Sequence, residues 1–240
     1  MKLKRYALLP LLALALPLLA LACGDETTET PGQGVVRPVR EILGSLPLKT
    51  ADFAQVFPNL APMRHEGPTP VSNEQLVDEA VNPDDTRNAI EKYNRISGAG
   101  VSYVTERQEE GLGGPGNSAR YIGYLDIHLF STDDGAGGFF QFWKGLASQS
   151  PFTSEIQKFD VSDVGDEAVG FFAPKTPNEG PYTASTLIMT RIGPLVVVLA
   201  VNHRPDQDAR EGLRRLAQIL AENVEARLQP VGDTPLPGGS

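Results

Sequence analysis

The sequence predicts an α+β fold: an antiparallel sheet with helices packed on it, an α/β-sandwich-like arrangement preceded by a short helical region. Three observations point there. STLIMTRI and LVVVLAVN flank Gly193-Pro194 and read as two strands of a hairpin. The remaining strand-like stretches are joined mainly by loops, without the repeating strand–helix–strand unit of a parallel sheet. Near the end, DQDAREGLRRLAQILAENVEARL places Leu213, Leu216, Ala217, Leu220, Val224 and Leu228 along one side of a helix, the side expected to cover a sheet face.

The elements follow in order. Residues 41–97 read as helical with turns. Thr50 is placed to cap ADFAQVF, which Pro58 stops, and Ser72-Asn-Glu-Gln75 has capping-box spacing. Asn82-Pro83 offers a cap with proline at the first helical position. In the segment after it, Ala89, Ile90, Tyr93 and Ile96 recur at helical spacing. Residues 98–228 read as a sheet with two helices. GVSYVTER, from Gly100, is a weakly alternating strand, and EEGLGGPGNS is a loop. In RYIGYLDIHLF, Leu125, Ile127 and Leu129 share one face, with Tyr124, Asp126, His128 and Phe130 on the other. Asp133 or Asp134 is expected to cap the next helix, whose apolar stripe is Ala136, Phe139, Phe140, Trp143 and Ala147. Its glycines weaken it alone, so packing of its aromatics must hold it. EIQKFDV and EAVGFFAP are short strands, and KTPNEGPYT is a second long loop. LVVVLAV lacks polar alternation, as expected of a central strand covered on both faces.

The two ends have different compositions. Lys2, Lys4 and Arg5 precede an uncharged Leu- and Ala-rich run from Tyr6 to Ala22, the form of a secretory signal. The single cysteine of the chain, Cys23, stands where that run gives way to polar GDETTET. Ala20-Leu21-Ala22-Cys23 resembles the lipobox of bacterial lipoproteins, although that family favours Leu where Ala20 stands. The resemblance implies cleavage before Cys23 and a diacylglycerol on its sulfur. Residues 23–40 then form a disordered tether spanning on the order of 25 Å. Residues 41–228 form a single domain, and 229–240 a loose tail.

Removing the leader leaves 18 Lys and Arg against 30 Asp and Glu, a formal net charge of −12. That balance argues against nucleic acid, which needs a basic face. It suits a domain held off a membrane surface, on the cell membrane or an outer membrane, touching it through the lipid anchor only. The body keeps no cysteine, so no disulfide staples it.

Within the body, Asp134-Gly135-Ala136, Val164-Gly165-Asp166-Glu167-Ala168 and Arg191-Ile192-Gly193 recur in the same order in a group of bacterial extracytoplasmic domains. Leu46–Phe53 and Arg95–Val101 fit the same layout. The chain resembles mycobacterial surface lipoproteins and kinase sensor domains with a Mog1/PsbP-like sandwich. That resemblance implies binding or scaffolding and carries over no catalytic residue and no cofactor.

The candidate chemistry is sparse. Asp126 and His128, two apart on one strand, have the spacing of an oriented acid–base pair and are the residues a hydrolase would use. No Gly-x-Ser-x-Gly elbow accompanies them. Asp160, Asp163, Asp166 and Glu167 are dense enough to raise a Ca²⁺ site, yet their spacing is not that of an EF-hand. The simpler expectation is a turn at Gly165 with Asp166 bonded to local backbone. The two long loops, 108–119 and 174–184, would form a binding rim if they left the sheet at one end. Phe142 and Trp143 belong to an aromatic patch that either fills the core or lines a cavity for an apolar ligand such as a lipid or quinone. The sequence therefore favours a non-enzymatic binding or interaction domain. Its expected partner is an envelope protein or an apolar small molecule.

Overall fold

The computed structural model describes residues 48–58, 63–80, 82–105, 120–148, 156–174, 184–204 and 206–228. The leader, Cys23, the tether, most of both long loops and the C-terminal tail lie outside the described residues. In chain order the elements are α1 (Thr50–Val56), β1 (Met63–Val71), α2 (Asn73–Asp78), α3 (Pro83–Tyr93), β2 (Arg95–Thr105), β3 (Arg120–Phe130) and α4 (Asp133–Ser148). Then come β4 (Gln157–Phe159), β5 (Glu167–Ala173), β6 (Ala184–Ile192), β7 (Leu195–His203) and α5 (Arg210–Leu228).

The strands form one antiparallel sheet in the order β1-β2-β3-β7-β6-β5-β4. β7 sits between β3 and β6, and all nine of its residues are buried, as its unbroken apolar run requires. One sheet face packs Leu125, Ile127, Leu129, Leu199 and Val201 against Leu213, Leu216, Leu220 and Val224 of α5. α1 joins that side, with the Phe53 ring tilted, at 4.1 Å, against Tyr103, whose hydroxyl donates to Leu48 O. The other face packs Val196, Val198, Ala200 and Met189 against Phe139 and Phe140 of α4, with α2 and α3 alongside.

Several starts and stops differ from the sequence reading. The region 41–97 is not purely helical, because β1 lies within it. Gly67, Pro68 and Pro70 interrupt its pattern, and a register shift falls between Glu66 and Thr69. Proline is tolerated there because β1 is an edge strand. α3 ends at Tyr93, since Asn94 turns left-handed (φ 53°). Arg95 therefore opens β2, and Ile96 is a strand residue exposed to 55% rather than the last rung of a helical stripe. Thr50 is the first helical residue of α1 rather than its cap, and Lys49 N–H donates to Asp52 at 2.7 Å. For α4, Thr132 rather than Asp133 or Asp134 is the cap, its hydroxyl accepting from the Gly135 amide at 3.0 Å. The Ser72–Gln75 box forms in both directions, at 3.1 and 3.0 Å.

Two of the motifs, Val164–Ala168 and Arg191–Gly193, meet in one corner. Asp166 accepts from Gly193 N–H at 2.7 Å and from Arg191 at 3.0 Å, and Glu167 accepts from Arg191 Nε at 3.1 Å. Gly165 is left-handed (φ 60°), and a Cβ there would lie 2.6 Å from Arg191 O. Val164–Ala168 and Arg191–Gly193 are thus two halves of a latch across β5 and β6. Asp166 bonds to a distant turn and not to its own backbone neighbours, because β6 brings that turn alongside.

Candidate functional site

β3 places Asp126 and His128 on the face covered by α4, as their spacing predicts. In register, His128 lies opposite Gly98 of β2 and Val196 of β7, and Asp126 opposite Gly100 and Val198. The two glycines keep β2 bare beside the two polar side chains. A Cβ on Gly98 would come 2.3 Å from an Arg95 nitrogen, and one on Gly100 2.9 Å from an Asp126 oxygen. The missing side chains are the space in which a polar layer lies flat on an otherwise apolar sheet.

Arg95, 4% exposed, is the hub of that layer. Its Nε–H donates to His128 Nδ1 at 3.1 Å, one terminal nitrogen donates to Val71 O at 3.1 Å, and the other donates to Asn73 Oδ1. Asn73 returns a bond from its amide to Arg95 O at 3.2 Å, so the first residue of α2 is clamped from both sides. Burial lowers the Arg95 pKa to about 10, with the negative charge of Asp126 opposing that shift.

His128 does not act as half of an Asp–His pair. A guanidinium can only donate, so Nδ1 must be the acceptor and the proton of the neutral ring sits on Nε2. Burial, and then the nearby Arg95 charge, hold its pKa well below the usual histidine range. His128 is 1% exposed, and its Nε2 has no hydrogen-bond partner among the described residues. The ring stands edge-on to Trp143 at 4.9 Å and lies 5.9 Å from Phe139.

Asp126 sits deep among protein atoms, yet the residue keeps a partial opening to solvent, as does Gly100 beside it. Its pKa is raised to about 7, first by burial and then by Glu79, with Arg95 pulling the other way. Glu79, at the C-terminus of α2, is exposed and is itself raised by burial and by Asp78. From Glu79 through Asp126 to His128, exposure falls while polarity persists.

The other sequence candidates resolve differently. Phe142 and Trp143 are partly buried and pack on the α4 core, with the Phe142 ring 6.0 Å from Phe139. Asp163 accepts from Arg214 and Gln218, Asp160 from Ser162 N–H, and Asp166 and Glu167 from Arg191. These carboxylates face cations and amides, and among the described residues no acidic or His cluster is arranged to hold a metal. His65 is exposed on β1. His203 lies on the opposite sheet face, bonded through its ring nitrogens to Thr186 and Arg204 O at 2.9 Å each. This hydroxyl–imidazole contact is sealed, with Thr186 at 0% exposure. The strand ends that carry the two long loops, Thr105 and Arg120 for one and Ala173 and Ala184 for the other, all lie at one end of the sheet.

Sequence reasoning missed Arg95, Asn73, Glu79, Gly98 and Gly100. One signal was present: two glycines two residues apart in a strand, next to a strand carrying two polar residues at the same spacing.

No family model matches the chain, and no curated protein sequence matches it. Among solved structures, it is similar to the extracellular domain of PknH from Mycobacterium tuberculosis. The TM-score is 0.53 at 12% identity, covering 81% of this chain and 100% of that one. The likeness establishes an α+β fold shared with an extracellular domain. No described helix is long and apolar enough to cross a membrane.

Proposed function

We propose that the protein is a lipoprotein anchored through Cys23 outside the cytoplasmic membrane, and that its folded body is a non-enzymatic binding domain. The observation that carries the binding reading is the buried polar layer of Arg95, Asp126 and His128. It lies inside an apolar core, and among the described residues His128 Nε2 has no hydrogen-bond partner. Hydrolysis through Asp126 and His128 does not fit, because the nitrogen that an aspartate would orient is taken by Arg95.

The sequence Ala20-Leu21-Ala22-Cys23 supports the anchor, and the likeness to an extracellular domain agrees with the address. A second reading, docking to an envelope protein, draws support from the shared end at which both long loops leave the sheet. Fractionation of cells producing the full chain or its Cys23→Ala variant tests the assignment. The wild type is expected with the membranes and carrying acyl chains. The variant is expected to be released or to keep its leader. Equal partitioning of unacylated protein in both would remove the anchor. Photo-cross-linking from position 143 tests binding: a specific adduct is expected, and its absence in intact cells would count against a binding role for the α4 side.

A further inference from the structure

Arg95 and Asp126 are neighbours whose side chains are aimed at different partners. Each hydrogen bond that the guanidinium makes among the described residues goes to a neutral acceptor: His128 Nδ1, Val71 O or Asn73 Oδ1. An Arg95 nitrogen lies over Gly98, and an Asp126 oxygen lies over Gly100 on the same face of β2. Those two positions are roughly 7 Å apart, with no β2 side chain between them on that face. A guanidinium bonds a carboxylate more strongly than a neutral acceptor. Arg95 therefore has two arrangements, and the charge on Asp126 selects between them.

α2 is coupled to both groups. Its first residue, Asn73, is bonded to Arg95 in both directions. Leu76 and Val77 pack with Val71, whose side chain reaches over Gly100 beside Asp126. Glu79, at its end, opposes a charge on Asp126. Nothing else charged is turned toward Asp126 among the described residues. β3 adds His128, which burial keeps neutral, and β7 sets Val198 opposite. On β1, Glu66 is paired with Arg64; the charges of α3 are all exposed; and α4 brings Phe139 and Trp143 to the imidazole, with Lys144 over Phe140.

We infer that α2 is a pH-responsive clip: while Asp126 is protonated, Arg95 holds Asn73 and keeps α2 on the sheet; when Asp126 ionises, Arg95 turns to it, Glu79 is repelled and α2 loosens. Covered by α2, Asp126 keeps its proton up to about pH 7. With α2 lifted it returns to the ordinary carboxylate range near pH 4. Opening thus releases a proton between those values. The open fraction rises about tenfold per pH unit across that window and levels off above it. This goes beyond the binding reading and holds whatever the domain binds.

The test is native-state hydrogen exchange, followed by NMR on the full chain carrying Cys23→Ala, with each rate divided by that of an unstructured chain at the same pH. The amides of Leu76, bonded to Ser72 O, and Val77 are expected to be at least about tenfold less protected than those of β7, since α2 opens without the sheet. Their protection should fall about tenfold per unit from about pH 5 to 7 and then level. Asp126→Asn should leave it flat over that range. Glu79→Gln should move the levelling point to lower pH, because Glu79 is one of the groups that raise Asp126. Protection of α2 that is independent of pH in the wild type overturns the inference. A slope that persists in Asp126→Asn does so too, as does protection equal to that of β7, which would mean that α2 opens only with the whole molecule.

Discussion

Asp126 and His128 act on stability in opposite senses as pH changes. The folded pKa of Asp126 is raised to about 7, so its folded state holds a proton that the unfolded chain gives up near pH 4. Its contribution is complete below the unfolded pKa and is lost as pH rises through 7. The pKa of His128 is lowered, so its contribution is present above about pH 6.5 and is lost as pH falls. In the wild type the two slopes offset between about pH 4 and 7. Asp126→Asn removes one of them. The variant should match the wild type in unfolding free energy near pH 4 and gain on it steadily, by on the order of 4 kcal/mol at pH 8. Urea titrations across that range measure the difference, and a constant offset would show that Asp126 is not held protonated.

Arg95 is a positioning residue for that pair. Arg95→Lys keeps a charge but loses the planar fork that reaches His128, Val71 O and Asn73 together. The His128 ring should then lose its fixed tautomer, seen as mixed Nδ1–H and Nε2–H signals, in a protein that still unfolds cooperatively. A retained single tautomer would mean that packing on Trp143 orients the ring without Arg95.

At the scale of elements, two glycines of similar appearance have opposite roles. Gly98 in β2 has an Arg95 nitrogen 2.3 Å and Ile127 O 2.6 Å from where a Cβ would stand. Gly98→Ala is expected to destabilise by about 1–3 kcal/mol, since neither neighbour can retreat without breaking the polar layer or the β2–β3 ladder. Gly145 in α4 has nothing within 4 Å of the same point. Gly145→Ala should stabilise by about 0.5–1 kcal/mol through helix propensity. Thermal unfolding of the two variants separates them by sign.

The latch between β5 and β6 makes a third case. Arg191 keeps 17% of its side chain exposed while holding Asp166 and Glu167. Arg191→Ala should cost about 1–3 kcal/mol, more than the loss of an exposed pair, because Asp166 also anchors the Gly193 turn. A loss under 0.5 kcal/mol by urea denaturation would reduce the latch to a surface pair.

What could be read from the chain follows from which forces are local. β3, β6, β7 and α5 were legible because long apolar patterns and one tight turn set them without help from elsewhere. β1 was not, because Gly67, Pro68 and Pro70 make it look like a loop, and only its pairing with β2 turns it into a strand. Ile96 misled for a related reason: helical spacing continues past Tyr93, but the left-handed Asn94 ends the helix first. Asp126 and His128 could be found by their shared face. Their partner could not, because Arg95 reaches them from 31 and 33 positions upstream through the β2–β3 register.

On the scale of the whole molecule, the sheet separates two sides with different work. The α5 side, from Leu125 to Val224, is mainly apolar, with the buried Thr186–His203 contact on the same face. The α4 side carries the polar layer and the aromatic cover. The acidic body and the cysteine at the leader boundary place this asymmetric sandwich, in our reading, on a tether beside a membrane.

Native mass spectrometry of the full-length protein, released in detergent from the membranes of its source, tests the central claim of a tethered binding domain most directly. The account predicts an adduct of a few hundred daltons beyond the acylated chain, lost on denaturation and absent from the Trp143→Phe variant. A bare acylated mass in the wild type, with no ligand released on denaturation, would contradict it.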